Sequence, residues 1–410
     1  MKILHINDYP PAAGGGAEVV MSQTIDLLHA RGHVVETFTA VDLANTVLTP
    51  LRYLDNAFAR QALADKLTAF RPNVVHLHNF YHLLSPGILA ELNVYKQERP
   101  LRVVMTAHDY HLVSPNSAGS SFAWWSGRRQ VVAAERFGSL GYLMTRRWDH
   151  RSWVHSWLKV IQHIWHYRWH GRRRVIDHAI CPSRFVERML ASTGLQTSWL
   201  PHPVPPSTPR SHAPRGNAAP RGNVSGPLRF VFAGRIEPEK GLFEFLQTLP
   251  ADFGDRLTII GTGADFSRCR TLAAARPWRD RVEFLGRLSH AQTLTKIAEA
   301  HVLVQPSRVL ETYGLTLIEA LSVGTNVLAS DRGALREIVD DSGVGFLYDL
   351  DDPATLVQKL GAIRRAHADA SLNRFSIVPF LDGRSEARYV DGLLERYAND
   401  VDCEAPPLAA

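Results

Sequence analysis

The fold is decided by residues 306–331, which read PSRVLETYGLTLIEALSVGTNVLASD. Apolar residues at 301–305 predict a strand before it, and the periodic apolar residues after Gly314 predict a helix. Glu311 then lies on the connecting turn and Glu319 lies about two turns into the helix. The first N–H groups of a helix lack internal partners and favour an anion. The stretch therefore predicts a site that binds a phosphate and a polyol together, as a sugar nucleotide requires.

A second stretch, residues 228–242, reads LRFVFAGRIEPEKGL and predicts another strand followed by a basic loop. Arg235 and Lys240 would lie at the carboxyl end of a parallel strand, where open α/β sheets bind ligands. Arginine offers a forked contact and lysine a point charge. Two fixed positive charges of this kind suit a diphosphate leaving group when no metal is present.

The pattern Glu-x7-Glu in the context PSxxExxGLxxIEAxxxGTxVLASD is similar to the signature of family 4 retaining glycosyltransferases, among the group 1 glycosyl transferases. The resemblance implies an α/β chain with the GT-B fold, in which two Rossmann-like domains face each other across a cleft. It also implies transfer of a hexose from a nucleotide-diphosphate sugar to a hydroxyl, with retention. We expect this activity to need no metal and no cofactor, and to serve polysaccharide or glycolipid biosynthesis.

The resemblance also implies roles for individual residues. Arg235 and Lys240 would stabilise the departing diphosphate. Glu311 would hold hydroxyls of the donor sugar, and Glu319 would hold the ribose. His108, at the end of the strand in TAHDYH, would lie beside the donor sugar on the opposite wall. The donor-binding set also includes Gly15, Gly16, Thr312, Tyr313, Gly314 and Leu315. From spacing alone, the loop with Gly15 and Gly16 is equally well explained as a tight turn.

The chain of 410 residues is long enough for two domains, and its strands and helices alternate as in α/β proteins. We predict an N-terminal domain at 1–200, a linker or loop at 201–227 and a nucleotide-sugar-binding domain at 228–383. The segment 201–227 is rich in Pro, Arg, Gly and Asn and contains APRGN twice. A terminal helix within 384–410 is expected to pack back on the N-terminal domain.

Residues 128–174 hold 11 Lys or Arg against two acidic residues, and seven of the nine tryptophans lie at 124–169. Helical spacing predicts an apolar face there. Its members are Trp153, Trp157, Val160, Ile161, Ile164 and Trp165. Such a face either packs on the domain edge or docks on an anionic membrane that carries a lipid-linked acceptor.

Several classes are disfavoured. The sequence has no apolar run of membrane-spanning length and no signal-peptide pattern, so we expect a cytoplasmic protein, or one peripheral to the inner face of the cell membrane. No residue cluster has metal-ligand spacing, and Asp349-Leu350-Asp351 is interpreted as the start of a helix. A GT-B nucleotide-sugar epimerase stays open as an alternative. A basic nucleic-acid-binding protein would need recognition motifs that are absent here. The sequence does not specify the sugar, the base or the acceptor.

Overall fold

The computed structural model describes residues 1–43, 49–123, 129–131, 139–204, 226–372 and 376–398. The chain divides into two compact units. Unit 1 contains Met1–His202 and the C-terminal segment from Glu386, and unit 2 contains Pro203–Ser385. Most of the predicted linker at 201–227 lies outside the described residues. So do residues 124–128 and 132–138 of the tryptophan-rich stretch.

Unit 1 is built on a six-stranded parallel sheet. The strands of this sheet are β1 (Lys2–Ile6), β2 (Val34–Phe38), β3 (Val74–Leu77), β4 (Arg102–Thr106), β7 (His178–Cys181) and β8 (Thr197–Trp199). A separate antiparallel pair consists of β5 (Ser120–Phe122) and β6 (Arg129–Val131). The sheet order is β2-β1-β3-β4-β7-β8. Its helices are α1 (Gly16–Ala30), α2 (Pro50–Leu54), α3 (Ala57–Phe70), α4 (Ile88–Glu98), α5 (Leu140–Thr145), α6 (Trp153–His163) and α7 (Arg184–Ala191).

Unit 2 holds a second six-stranded parallel sheet. Its strands are β9 (Arg229–Ala233), β10 (Arg256–Ile260), β11 (Val282–Gly286), β12 (Val302–Gln305), β13 (Asn326–Ser330) and β14 (Phe346–Tyr348). Its helices are α8 (Leu242–Thr248), α9 (Phe266–Ala274), α10 (His290–Glu299), α11 (Leu315–Ser322), α12 (Gly333–Ser342), α13 (Pro353–Ala368) and α14 (Val378–Asp382). The strand order β11-β10-β9-β12-β13-β14 is the Rossmann order.

The central strands are buried along their whole length, as parallel strands covered by helices on both faces must be. The terminal helix α15 (Glu386–Ala398) belongs to the core of unit 1. Its Tyr389, Leu393 and Tyr397 are buried in one cluster with Ile3 and Val104. The C-terminal helix therefore packs against the N-terminal sheet.

Each sheet has a point at which the strand order reverses, and open α/β sheets bind ligands beside that point. In unit 2 it lies between β9 and β12, so the loops that follow these strands meet there. These loops carry Arg235, Lys240 and Glu311. In unit 1 the reversal lies between β1 and β3. The fold thus brings the predicted phosphate-binding loop and the first glutamate of the signature to one sheet edge.

The predicted strand, turn and helix around residues 301–322 are confirmed, since β12 begins at Val302 and α11 begins at Leu315. The expectation of two Rossmann-like α/β domains is confirmed as well. Among the described helices, none combines the length and the apolar character that a membrane crossing requires.

Candidate active site

A close approach of two backbone loops creates the centre of the site in unit 2. Gly241 follows a single 3-10 turn at Pro238–Lys240 and has a φ of +69°. A Cβ atom at this position would clash with the carbonyl oxygen of Pro306, so only glycine allows the loops to meet. The Arg308 N–H donates to the Glu239 carbonyl at 2.8 Å and ties the same loops together. As a result, Lys240 lies beside the loop that follows β12.

Lys240 and Glu311 form an ion pair at the meeting point of these loops. Lys240 Nζ lies 2.7 Å from Glu311 Oε1, and the two side chains are 19% and 16% exposed. The Ser307 hydroxyl donates to the same carboxylate oxygen. Burial raises the pKa of Glu311, but Lys240 and hydrogen bonds from Ser307 and Gln305 outweigh it and hold the pKa below its usual value. Glu311 is therefore a fixed, charged hydrogen-bond acceptor at neutral pH.

The start of α11 lies directly after this pair in the chain. Gly314 caps the helix in the left-handed region, with a φ of +83°, and a Cβ there would press on Leu335 and Ile338. The Tyr313 side chain is buried in the apolar core of unit 2 and so anchors the turn that precedes α11. The Leu317 N–H donates to the Gly314 carbonyl at 3.0 Å, so the N–H groups of α11 without an intrahelical acceptor are those of Leu315 and Thr316, at the end of a helix that favours an anion.

Glu319 has a partner that the sequence did not reveal. Its Oε1 lies 2.8 Å from Nε2 of His290, the first residue of α10. The hydrogen bond to Glu319 raises the pKa of His290. Glu319 is 14% exposed and His290 is 49% exposed, so the pair lies at the surface of unit 2. The pair places a hydrogen-bond acceptor, Glu319, beside a hydrogen-bond donor, His290.

Arg235 differs from Lys240 in its surroundings. Its side chain is 71% exposed, and its Nη2 lies 3.8 Å from Glu239 Oε1. A pair at this distance and exposure contributes little to stability. Of the two predicted phosphate-binding cations, Lys240 is therefore held by a partly buried carboxylate, and Arg235 is largely exposed.

Unit 1 has acidic residues at the carboxyl edge of its sheet. Asp8 follows β1 and accepts backbone N–H groups of Leu83 and Leu84, each at 2.9 Å. Burial raises its pKa to about 6. Asp109 follows β4, and burial, with a smaller effect of Asp8, raises its pKa to about 7. Glu18 of α1 accepts a hydrogen bond from Asn7 Nδ2 at 2.9 Å.

The predicted residues of unit 1 lie along this same edge. Gly15 caps α1 and Gly16 begins it, and a Cβ at Gly15 would clash with the Glu18 carboxylate. His108 follows β4 and its Nε2 lies 2.8 Å from Nδ1 of His78. Burial lowers the pKa of His108 to about 4, so the ring is neutral at physiological pH.

The tryptophan-rich helix α6 has one packed and one exposed face. Val160, a member of the predicted apolar face, packs into the protein and is 2% exposed. The helix continues as a π-helix at Ile164–Trp169, which shifts the spacing of the outward residues. The exposed apolar side chains are Val154, Trp157, Ile161, Trp165 and Trp169. We call these five residues the tryptophan stripe.

Known protein families, sequences and structures resemble this chain. Residues 217–367 match the family model of group 1 glycosyl transferases. This segment is similar to the group 1 glycosyl transferases, and it is less than half of the chain. It covers nearly all of unit 2, including the strand–turn–helix that carries Glu311.

One protein is similar to this chain in sequence, and two solved structures are similar to it in fold. A phosphatidyl-myo-inositol mannosyltransferase of Mycobacterium leprae is 35% identical over 140 residues, which are 33% of this chain and 37% of the relative. This chain thus matches little more than a third of that protein's length. A sucrose-phosphate synthase structure from Thermosynechococcus elongatus is 19% identical with a TM-score of 0.68, covering 97% of this chain and 98% of the other. An Anabaena HepE structure is 16% identical with a TM-score of 0.59, covering 96% and 98%. Both structures share the two-domain GT-B fold.

The structure groups the predicted residues by unit. Those from Arg235 to Glu319 line the start of α11 and its neighbouring loops, and Gly15, Gly16 and His108 lie at the sheet edge of unit 1. Sequence reasoning missed Ser307, His290, Asp8 and Asp109. Asp8 and Asp109 had one usable signal, because each directly follows a buried strand at the edge where ligands bind.

Proposed function

We propose that the chain is a retaining glycosyltransferase that moves a hexose from a nucleotide-diphosphate sugar to a hydroxyl of a carbohydrate or glycolipid acceptor. One observation carries the proposal: the Lys240–Glu311 pair lies beside the start of α11, at the reversal point of a Rossmann sheet. A cation, a helix N-terminus and a fixed carboxylate are the groups that a diphosphate joined to a sugar requires. The similarity to a mannosyltransferase supports the same class.

In this proposal the diphosphate binds at the N-terminus of α11 and is contacted by Lys240 and Arg235. Negative charge grows on the leaving phosphate as the glycosidic bond breaks, and preorganised cations stabilise that charge. Lys240 is already held by Glu311, so little reorganisation is needed. Arg235 is exposed and closes on the phosphates when the donor binds. These groups supply the charge that a metal would otherwise supply, so we propose a metal-independent reaction.

Glu311 and Glu319 divide the hydroxyls of the donor between them. Glu311, charged and acceptor-only, binds sugar hydroxyls near the diphosphate. Glu319 binds the ribose hydroxyls, and its partner His290 lies next to the position of the base. The acceptor hydroxyl attacks on the face that the leaving phosphate occupies, and that phosphate takes its proton. We propose His108 as a further residue of the reaction, since it follows β4 at the carboxyl edge of the unit 1 sheet, where open α/β sheets bind ligands.

Thermal shift with UDP, GDP and ADP sugars, each with EDTA present, tests the donor assignment, because a ligand that binds only the folded protein raises its melting temperature. We expect one nucleotide class to stabilise the wild type and to lose its effect in Glu311→Ala. Lys296→Ala is the matched control, since it breaks an ion pair of 2.8 Å on the surface of the same unit. No shift with any nucleotide sugar would contradict the proposal.

The chemistry is tested separately by the products. A retaining transferase yields a glycoside with the donor's anomeric configuration, which proton NMR coupling constants report, and it releases free nucleotide only when acceptor is present. An epimerase would instead convert the donor without an acceptor and give no glycoside. Inversion at the anomeric carbon would refute the retaining assignment.

We further propose that unit 1 docks on an anionic membrane through the tryptophan stripe, which brings the enzyme to a lipid-linked acceptor. Trp157, Trp165 and Trp169 are exposed on one side of α6 and its extension. Residues 151–174 contain six Lys or Arg and no acidic residue. Tryptophan favours the headgroup layer, and each basic residue near an anionic leaflet adds about 1 kcal/mol.

The structure also selects the residues for this test. Arg172 lies 3.8 Å from Asp55, and Arg173 packs over the Tyr167 ring, so changing either would disturb the fold. Trp157→Ser with Trp169→Ser removes two side chains of the tryptophan stripe that are 39% and 75% exposed. We expect this pair to abolish co-sedimentation with vesicles containing phosphatidylglycerol and to leave transfer to a water-soluble acceptor unchanged. Phe58→Ser, another exposed aromatic change in unit 1, is the control. Equal binding to anionic and neutral vesicles would exclude the docking surface.

A further inference from the structure

Helix α6 has an inverted distribution of side chains. A surface helix of a globular protein normally buries its apolar face and exposes its polar face. Here the tryptophan stripe is exposed, whereas the buried side chains of α6 and its π-helical continuation include four polar ones that are at most 1% exposed, namely Ser156, Gln162, His163 and His166. Lys159 is 16% exposed. The inner face of α6 therefore presents polar groups to the body of unit 1.

Gln162 holds two segments of unit 1 together from this inner face. Its Nε2 donates to the carbonyl oxygens of Tyr53, in α2, and of Tyr81. His82, the residue after Tyr81, donates its backbone N–H to Asp8 Oδ2 at 2.8 Å. Asp8 follows β1 and the loop with His82 follows β3, so both lie at the reversal point of the unit 1 sheet, where open α/β sheets bind ligands.

Two cations of unit 1 share one buried carboxylate. Asp149 is 3% exposed, accepts from Arg151 Nε and Nη2, both at 2.9 Å, and lies 3.0 Å from Lys159 Nζ. Burial alone would raise the pKa of Asp149, but the hydrogen bonds from Arg151 and the charge of Lys159 outweigh it and lower the pKa. Asp149 is therefore charged at neutral pH, and one negative charge beside two positive charges leaves a net charge of +1.

Two polar side chains near these cations are without a hydrogen-bond partner in the described part of the chain, namely the Tyr53 hydroxyl and the His82 ring. Burial, helped by the charges of Lys159 and Arg151, lowers the pKa of His82 to about 4, so the ring is neutral. Burial and the charge of Asp149 raise the pKa of Tyr53, and the charge of Arg151 opposes them. Both side chains therefore lie within the electrostatic range of Arg151, and each has one hydrogen to donate.

An internal polar network is the competing explanation of this inner face. It accounts for Ser156, Gln162 and His166, each of which has a hydrogen-bond partner elsewhere in unit 1. It does not account for Tyr53 and His82, or for the net positive charge. Polar groups that are removed from bulk water cost free energy when they lack a partner, so groups of this kind that point to one place indicate a ligand.

We propose that Arg151, Tyr53 and His82 form a binding site in unit 1 for a phosphate group, and that the acceptor carries this phosphate. Arg151 uses Nε and Nη2 on Asp149, so its Nη1 contacts a phosphate oxygen. The Tyr53 hydroxyl and one ring N–H of His82 donate to the other oxygens. The assignment of the phosphate to the acceptor rests on the proposed function, but the binding of a phosphate does not.

Hydrogen exchange in the presence of methyl phosphate tests the site. The readout must resolve single segments, because the start of α11 in unit 2 also favours an anion. We expect methyl phosphate to protect peptides that cover α2 and α6 in the full chain, at residues 50–54 and 153–163.

Two variants and a control make this test specific. Tyr53→Phe removes a hydroxyl that has no partner within the described residues, so the fold is kept, and it should raise the Kd for methyl phosphate about fivefold. Arg151→Gln should raise the Kd at least about tenfold, the scale of one charge-assisted hydrogen bond. Arg99→Gln removes an exposed cation of the same unit and should leave the Kd unchanged.

A lipid phosphate and a soluble sugar phosphate share this chemistry, and further probes separate them. If a lipid carries the phosphate, Tyr53→Phe should weaken co-sedimentation with vesicles containing phosphatidic acid about fivefold. If a soluble acceptor carries it, Tyr53→Phe should bind these vesicles as the wild type does, and glucose 1-phosphate should protect α2 and α6 at lower concentration than methyl phosphate. Either result supports the site, because the phosphate group is common to both.

An absence of protection at α2 and α6 would overturn the proposal. Equal protection in the wild type, in Tyr53→Phe and in Arg151→Gln would overturn it as well, since the phosphate would then bind elsewhere. Protection in a chain that binds no nucleotide sugar would support the phosphate site and refute only the proposed function. Binding of a nucleotide sugar without any protection by methyl phosphate would refute the phosphate site and leave the proposed function standing.

Discussion

Replacing Lys240 by methionine tests the centre of the site directly. Methionine keeps an unbranched apolar stem but removes the ammonium group that lies 2.7 Å from Glu311 Oε1. Glu311 then keeps hydrogen bonds from Ser307 and Gln305 but loses its counter-charge. Removing one partner of a buried ion pair costs about 3–5 kcal/mol. Both side chains retain some exposure, so we expect a loss of about 3 kcal/mol in the stability of unit 2.

The pH dependence of this loss has a definite sign. In the wild type the pKa of Glu311 is lowered, so its contribution to stability is present above its unfolded pKa of 4.5 and is lost as the pH falls through the folded value. Without Lys240, burial is the largest remaining influence and raises the pKa. Lys240→Met should therefore be more destabilised, relative to wild type, at pH 8 than at pH 5.

A double-mutant cycle isolates the pair. Glu311→Gln alone should cost about 1–2 kcal/mol, because the Lys240 ammonium can turn towards water. The variant with both changes should be more stable than the sum of the single losses predicts, with a coupling of about 1.5–3 kcal/mol. The two units need not unfold together, so the measurement is hydrogen exchange in peptides that cover β12 and α11. Additivity within about 0.5 kcal/mol would refute the assignment of a coupled pair.

Three further expectations concern single residues. Glu319→Gln should weaken binding of the product nucleotide about tenfold, as measured by calorimetry, with little effect on kcat. An equal loss in kcat would contradict a role at the ribose. His290→Ala should weaken nucleotide binding to a smaller extent. Arg235→Ala should lower kcat at least about tenfold, and EDTA should leave wild-type activity unchanged; activity lost in EDTA and restored by Mg²⁺ would contradict metal independence. Asp109→Asn should flatten the pH dependence of the free energy of unfolding. Because the pKa of Asp109 is raised to about 7, its contribution to stability is full below about pH 3.8 and is lost as the pH rises through 7. Denaturant melts at pH 5 and pH 8 should therefore differ less in the variant than in the wild type.

The parts of the site that sequence predicted are those encoded in one local segment. The strand, turn and helix at 302–322 follow from periodicity and from Gly314, and the glutamates within them keep their places. The direct contact between Lys240 and Glu311 is not local, because it depends on how closely the Gly241 backbone approaches Pro306. His290 was missed for the same reason, since it meets Glu319 only through the packing of α10 beside α11.

The apolar face predicted for α6 left open whether it packs or is exposed, and the structure divides it. Val160 is buried whereas Trp157 and Ile161 are exposed, because neighbouring positions of a helix lie about 100° apart around its axis. The continuation of α6 as a π-helix at Ile164–Trp169 changes the angular spacing only of the residues that follow. The number of tryptophans in this stretch also did not predict which of them are exposed, because Trp148 is fully buried while Trp169 is 75% exposed.

The buried histidines of unit 1 are difficult to explain by stability alone. A neutral imidazole in a core needs partners for both nitrogens, and an apolar side chain of similar size would fill the same space without that requirement. His76 has its partners, one of them the Tyr397 hydroxyl from the C-terminal helix, but His5 leaves one nitrogen unsatisfied. Such a cost is reasonable where a polar group sets the state of another. Hydrogen bonds join His5 to His78 and His78 to His108, which directly follows β4 at the carboxyl edge of the sheet. We therefore interpret the cost as the consequence of a hydrogen-bonded series of rings that reaches from the core of unit 1 to the edge where open α/β sheets bind ligands.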